Sequence, residues 1–197
     1  MKKAIALLFA LLGGAAACSS SESTPLSADE VHALTFTREE EKLARDVYMV
    51  LESRGPTFSN IRQSEQTHMD AVEALLDRYD LADPAQGKAA GAFQDATLQK
   101  LYEELVREGS VSPLAAMQVG AAIEELDIRD IQMAREHVTH ADIANTFDNL
   151  TRGSRNHLRA FYGQVQAMGG TYEPRYIDAR SFRAIVSSPT ETGGPAR

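Results

Sequence analysis

The chain has 197 residues, with 20 basic and 28 acidic residues, a formal charge of −8 and a single cysteine. This length fits one domain. The acidic balance argues against a nucleic-acid partner and is compatible with cation binding, and one cysteine excludes a disulfide within the chain. Packing or bound metal must therefore hold the fold.

The first residues are typical of an export signal. Two lysines precede an uncharged apolar run over 4–17, which is too short to span a bilayer. The run ends at Ala-Ala-Ala-Cys, which resembles a bacterial lipobox with Cys18 as the lipidated first residue. The pattern also suits ordinary signal-peptidase cleavage, but a lone thiol favours lipidation. We expect residues 1–17 to be removed and Cys18 to anchor the protein to a membrane at the cell envelope, facing the periplasm or the exterior.

Helical periodicity dominates the rest of the chain, and strand alternation is absent. Residues 18–33 are expected to form a linker and a short leading helix that begins at a capping box on Ser27. A second capping box on Thr37 predicts the start of the first long helix, which runs to about Ser53.

Three further long helices are predicted by the same periodicity. Their ranges are about 59–79, 113–137 and 142–168. The connection over 81–112 contains a shorter helix and is long enough to cross a bundle. Four long helices with one long crossover, between the second and the third, predict an all-α four-helix bundle. Residues 171–197 are predicted to be a tail that wraps the surface.

The first long helix carries acids on the edges of its apolar stripe. Glu41 lies three residues before Ala44 and seven before Tyr48, and Glu40 lies on the other edge. A buried carboxylate needs a metal, a proton or a partner. The Thr37 capping box already explains Glu40, so Glu41 is favoured as the inward acid, although the choice between the two stays open.

The second helix carries a Glu-x-x-His step at Glu65 and His68. Residues three apart share one face of a helix, so both side chains can reach the same ion. The third helix places Glu124 and Asp127 inside a stripe of small and apolar residues, and the fourth places His157 beside apolar neighbours. Each feature alone has a commoner structural explanation, such as a surface pair or a hydrogen-bonded core histidine.

Together, the four helices direct carboxylates and imidazoles toward one centre, which is the pattern of a carboxylate-bridged dinuclear metal site. This donor set suits iron, manganese or zinc better than magnesium or calcium. The remaining histidines, His32, His137 and His140, lack a comparable setting and are predicted to lie on the surface.

These segments resemble the DUF2202 domain, an uncharacterised bacterial and archaeal group within the ferritin-like superfamily. The resemblance covers about residues 34–170. The segments that carry it are Arg38 to Tyr48, Ser64 to Met69, Ile123 to Ile128 and Gly153 to Leu158. The resemblance implies a ferritin-like four-helix bundle with a di-iron or related site.

The resemblance also implies roles for individual residues. Glu65 would bridge two metal ions, and Tyr48 would be a hydrogen-bond donor behind the ligands or a redox partner. Glu41 and Glu124 would be terminal ligands, one histidine would cap each metal, and Asp127 would be an extra ligand. The implied ligands are therefore Glu41, Glu65, His68, Glu124, Asp127 and His157. Ser154 stands where the superfamily has a second bridging Glu. One bridge is missing unless Asp127 replaces it, which leaves a mononuclear site or a lost site as alternatives.

The sequence therefore predicts an exported, ferritin-like metal-binding protein. Its cofactor would be two iron ions that react with oxygen or peroxide, with manganese or zinc as alternatives, because metal availability as well as affinity decides occupancy. The competing interpretation is a non-enzymatic helical envelope protein without metal, in which Arg45, Arg129 or Arg155 neutralises the buried acids.

Overall fold

The computed structural model describes residues 25–193, so the predicted export signal and Cys18 lie outside the described residues. Over this range the chain is all-helical and contains no strand, as predicted. The six helices are α1 (Ala28–Leu51), α2 (Pro56–Arg78), α3 (Ala96–Gly109), α4 (Pro113–Arg135), α5 (Ala141–Ala167) and α6 (Ala179–Val186). A short 3₁₀ turn over Glu52–Arg54 joins α1 to α2.

The first helix is one continuous element of 24 residues and not the two helices that the sequence predicted. Ser27 forms the predicted capping box, in which its hydroxyl accepts from the Glu30 N–H at 3.1 Å and the Glu30 carboxylate accepts from the Ser27 N–H at 2.9 Å. Thr37 is buried in mid-helix, so the second capping box is wrong. No Gly or Pro separates the two signals, and nothing stops the first helix before Thr37.

Buried Glu30 ties the start of α1 to the connection between α4 and α5. One of its oxygens accepts from the backbone N–H groups of Thr139 and His140, at 2.8 and 3.0 Å, and lies 2.8 Å from His140 Nδ1. Burial opposes its ionisation, but these hydrogen bonds outweigh burial and hold the pKa of Glu30 well below its ordinary range. His140 is therefore not the surface residue predicted, whereas His32 and His137 are exposed, as predicted.

The four long helices form the body of the bundle. α1 packs on α2 and α4, and α5 packs on α4 and α2. Two hydrophobic clusters fill the interior, one around Phe58 and Phe161 and the other around Leu76 and Phe147. On each long helix the candidate ligands lie between members of the two clusters, so apolar packing encloses them from both ends. None of the described helices is long and apolar enough to cross a membrane.

The crossover between α2 and α4, which contains α3, is held by charged residues on the outer face of α1. Lys42 is 1% exposed and donates to Asp46 at 2.5 Å, while Asp46 also accepts from the Gly91 N–H at 2.9 Å. Glu39 accepts from the backbone N–H groups of residues 94–95. These buried charges are paired with the crossover backbone, which fixes its path across the bundle.

The segment after α5 contains a helix that the sequence did not predict. Asp178 caps α6, and Phe182 packs into the core from it. Buried Glu125 accepts from the backbone N–H groups of residues 175–177, at 2.7 to 3.3 Å. α6 has eight residues, which is too short for helical periodicity to separate it from an irregular tail.

Candidate metal centre

The structure brings all six predicted ligands into the interior between α1, α2, α4 and α5. The four carboxylates are 0–1% exposed and the two imidazoles are 9% exposed. The residues are Glu41 on α1, Glu65 and His68 on α2, Glu124 and Asp127 on α4, and His157 on α5. Helical spacing therefore identified side chains that point into one shared pocket.

Glu65 lies at the centre of this pocket. Its Oε2 is 2.8 Å from His68 Nδ1 and its Oε1 is 2.8 Å from His157 Nδ1. Glu41 Oε2 lies 3.1 Å from His68 Nδ1, and Glu124 Oε2 lies 3.3 Å from His157 Nδ1. The result is two three-residue donor groups that share Glu65, each with its donor atoms within 4.8 Å of one another.

Several donor atoms in the two groups are buried without a hydrogen-bond partner among residues 25–193. They include both carboxylate oxygens of Glu65, one oxygen each of Glu41 and Glu124, and Nδ1 of His157. Although His157 Nδ1 and Glu65 lie close together, their contact lacks the geometry of a hydrogen bond. Buried polar atoms normally find partners, so this cluster of unsatisfied atoms has the chemistry of a cation site.

The charges in the pocket shift one another's protonation. Burial raises the pKa of Glu41 to about 7, partly opposed by His68, and burial with the charge of Glu65 raises the pKa of Glu124 to about 7. Burial disfavours the charged form of His157, but the negative charges of Glu65 and Glu124 outweigh burial and raise the pKa of His157 to about 10. Burial likewise opposes ionisation of Glu65, and the two histidines hold its pKa well below its ordinary range. Cations and protons therefore compete for the same atoms.

Two side chains orient the ligands from behind. The Tyr48 hydroxyl donates to Glu124 Oε1 at 2.5 Å, and Ser64 Oγ lies 3.0 Å from His157 Nε2. Burial, with the charge of Glu124, raises the pKa of Tyr48 well above its ordinary value, so the hydroxyl stays a donor. Tyr48 was singled out from the sequence, but Ser64 was not, because its role depends on how closely α2 approaches α5. Such outer contacts usually tune the strength of metal binding.

Gly153 makes room for one of the ligands. A Cβ at this position would lie 2.6 Å from Nε2 and 2.7 Å from Cε1 of His68, closer than atoms can approach. The rings of His68 and His157 stack with centroids 5.5 Å apart. Ser154, the residue that follows Gly153, is fully buried and donates to the backbone of its own helix, at Leu150 O.

Asp127 and Glu40 lie beside the two donor groups but belong to neither. Asp127 is 1% exposed, and its Oδ2 has no hydrogen-bond partner within the described range. Glu40 is 3% exposed, and burial together with the charge of Asp130 raises its pKa well above its ordinary value. Both Glu40 and Glu41 therefore point inward, and Glu41 is the one that joins a donor group.

The three arginines considered as counter-ions pair elsewhere. Arg45 binds Asp46 at 2.6 Å and Arg129 binds Asp130 at 2.5 Å. Arg155 binds Glu191 at 2.5 Å. The histidines within the pocket are therefore the cations that face its carboxylates most closely.

Residues 30–189 match the family model described as "Uncharacterized protein domain (DUF2202)", an interval that includes α6. An uncharacterized protein of Methanocaldococcus jannaschii is 43% identical over 177 residues, which cover 89% of this chain and 96% of the relative. The crystal structure of a hypothetical protein from Methanococcus jannaschii DSM 2661 matches with a TM-score of 0.84 at 43% identity, covering 88% of this chain and 100% of that one. This chain belongs to the DUF2202 family.

Proposed function

We propose that this protein is a ferritin-like metal-binding protein that holds two transition-metal ions in the core of its helical bundle. The observation that carries the proposal is the sharing of Glu65 between two buried donor groups. Ferritin-like proteins build such sites from Glu and Glu-x-x-His on facing helices. Three carboxylates and two imidazoles suit iron or manganese, with zinc as an alternative.

The residues present fit a two-ion centre. Glu41 and His68 would hold one ion, Glu124 and His157 the other, and Glu65 would reach both through its two oxygens. The buried oxygens of Glu65 have no hydrogen-bond partner in the part of the chain that the structure describes, which supports this assignment. Because Ser154 replaces a second bridging Glu, the centre would have a single carboxylate bridge.

Bound iron would give this centre redox chemistry. Two ferrous ions held there would supply two electrons, enough to reduce dioxygen to hydrogen peroxide, or peroxide to water, with uptake of two protons. Tyr48 fixes the orientation of Glu124 through its 2.5 Å hydrogen bond. The apolar clusters at both ends exclude water, and the two histidines, each 9% exposed, are the ligands nearest to solvent.

Elemental analysis of the purified protein tests the proposal. The protein is stripped with a chelator, incubated with Fe²⁺ without oxygen and desalted, and we expect two ions per chain. Glu65→Gln keeps the size of the bridging side chain but removes its charge, so bound metal should fall below one ion per chain. Glu104→Gln, an exposed change on α3, is the matched control and should still bind two.

The result that contradicts the proposal is equally specific. Wild-type protein that retains only trace metal, and whose thermal unfolding is unaffected by chelator, would leave a helical protein without a metal centre. A bound ion at a hundredfold excess over its dissociation constant should stabilise the fold by about 2.7 kcal/mol.

A further inference from the structure

A row of carboxylates continues outward from the Glu65 centre between α1 and α4. Asp127 is the innermost member and is 1% exposed. After burial itself, the charges that raise its pKa most are those of Glu41 and Glu40, so it faces both. Its Oδ2 has no hydrogen-bond partner in the described chain, although it is not needed to complete either donor group.

Glu40 and Asp130 extend the row to the surface. Glu40 is 3% exposed and lies within hydrogen-bonding reach of Asp130 on α4. The side chain of Asp130 is 19% exposed. Asp127 and Glu40 are therefore buried, and Asp130 is the member of the row that reaches solvent.

The outer end of the row opens into a cavity. Asp130 lines a space of about 420 Å³ between α1 and the end of α4. The polar part of the lining also includes Asp29, His32 and His137. Carboxylate and imidazole groups are the donors that divalent transition-metal ions favour, and the chain as a whole is acidic.

Arg129 moderates the charge at the outer end. It forms two contacts with Asp130, of 2.5 and 2.7 Å, but it lines a different cavity, together with Tyr176. Asp130 therefore carries a partly neutralised charge, which attracts a cation without holding it tightly. Conduction requires such weak sites, because an ion must leave each one to reach the next.

We propose that Asp130, Glu40 and Asp127 form an uptake path that carries divalent metal ions from the α1–α4 cavity to the Glu65 centre. The inference rests on the proposed function, since it assumes that the centre binds metal. The competing route passes the two histidines between α2 and α5. The α1–α4 route accounts for Asp127 and Glu40, two buried acids that the donor groups leave unused.

The test measures how fast metal-free protein takes up Co²⁺, followed by visible absorption after rapid mixing. Asp130→Asn and Glu40→Gln should each slow uptake by about threefold or more, because the first removes a charge that raises the arrival rate of ions and the second removes a carboxylate that would bind the passing ion. Elemental analysis separately measures the final number of bound ions in each variant, and this number should still approach two per chain. Asp130→Glu, which keeps the charge, should restore the wild-type rate.

The matched control is Asp148→Asn, which removes the same charge from another Arg–Asp pair, the exposed pair with Arg135. It should take up Co²⁺ at the wild-type rate. If Asp130→Asn and Glu40→Gln fill as fast as this control, the path is wrong and the centre is filled by another route. If the wild type binds no Co²⁺, the proposed function fails and the path fails with it. Asp130 is partly exposed, so Asp130→Asn should fold normally. If Glu40→Gln does not fold, the uptake rate of Asp130→Asn tests the path by itself.

Discussion

At the scale of single residues, the centre depends on a glycine as much as on its ligands. His68 reaches Glu41 and Glu65 only because α5 has no side chain at Gly153. Turning the ring away would separate its Nδ1 from these two carboxylates. Gly153 is therefore a positioning residue for the first donor group.

Replacing Gly153 with Ala should displace His68 and lower bound metal from two ions toward one. Gly163→Ala, on the same helix, is the matched control, because a Cβ there has no atom within 4 Å. Both changes favour the helix by up to about 1 kcal/mol, so loss of metal from the first variant alone cannot arise from helix propensity. Elemental analysis of the two purified variants makes the comparison. Two ions in Gly153→Ala would refute the positioning role.

Helical spacing made it predictable that these acids and histidines face the interior, and it could not reveal what surrounds them. Glu65 and His68 lie three residues apart, so their common face follows from sequence alone. The contact of Ser64 with His157 and the space that Gly153 leaves for His68 arise between helices, from how closely α2 and α5 approach. Sequence periodicity carries no information about that separation.

At the scale of elements, the beginning of the segment after α5 is bound by one buried carboxylate, in addition to the packing of Phe182. Glu125 accepts three backbone N–H groups from residues 175–177 and has no exposed surface. Removing this acceptor leaves partly buried N–H donors unsatisfied, and an unsatisfied buried group costs about 1–3 kcal/mol.

Glu125→Ala should therefore release this segment from the bundle. Amide hydrogen exchange should accelerate across residues 171–186 and the free energy of unfolding should fall by about 2 kcal/mol. Glu104→Ala, at an exposed position on α3, is the control and should leave both quantities unchanged. Unaltered exchange in Glu125→Ala would show that Glu125 does not hold this segment.

The element boundaries show where local signals suffice. The Ser27 box begins a helix as predicted, and Ser112 caps the start of α4, because each hydroxyl accepts an otherwise unpaired helix N–H. The Thr37 signal failed since a capping residue works only where the preceding chain is not helical. α6 was missed because its stability depends on Phe182 packing into a distant core, which no local pattern reports.

At the scale of the whole molecule, protons and metal ions should compete for the same buried groups, and each should stabilise the fold. Glu41 and Glu124 have a pKa of about 7 in the fold against an ordinary 4.5, and His157 has about 10 against 6.5. For each group, the folded pKa is the higher one. Protonation of each group therefore stabilises the fold fully when the pH lies below its ordinary pKa. This contribution is lost as the pH rises through the pKa that the group has in the fold.

The metal-free protein should accordingly lose stability between pH 5.5 and pH 8, while metal binding strengthens because fewer protons compete. Thermal unfolding with and without metal over this range measures the effect, and the difference in Tm should widen as pH rises. Glu65 has the opposite shift, but its contribution is lost only below about pH 4.5, outside the window. A difference in Tm between the two forms that stays constant or narrows as pH rises would contradict competition between protons and metal.

The account depends most on two ions meeting at Glu65, and anomalous X-ray diffraction from crystals soaked in Co²⁺ or Fe²⁺ tests this directly. We predict two anomalous peaks on either side of the Glu65 carboxylate, about 3.5–4 Å apart as in other two-metal sites. One peak should lie beside His68 and the other beside His157. A single peak would reduce the centre to one ion, and the absence of peaks at Glu65 in metal-soaked crystals would contradict the account.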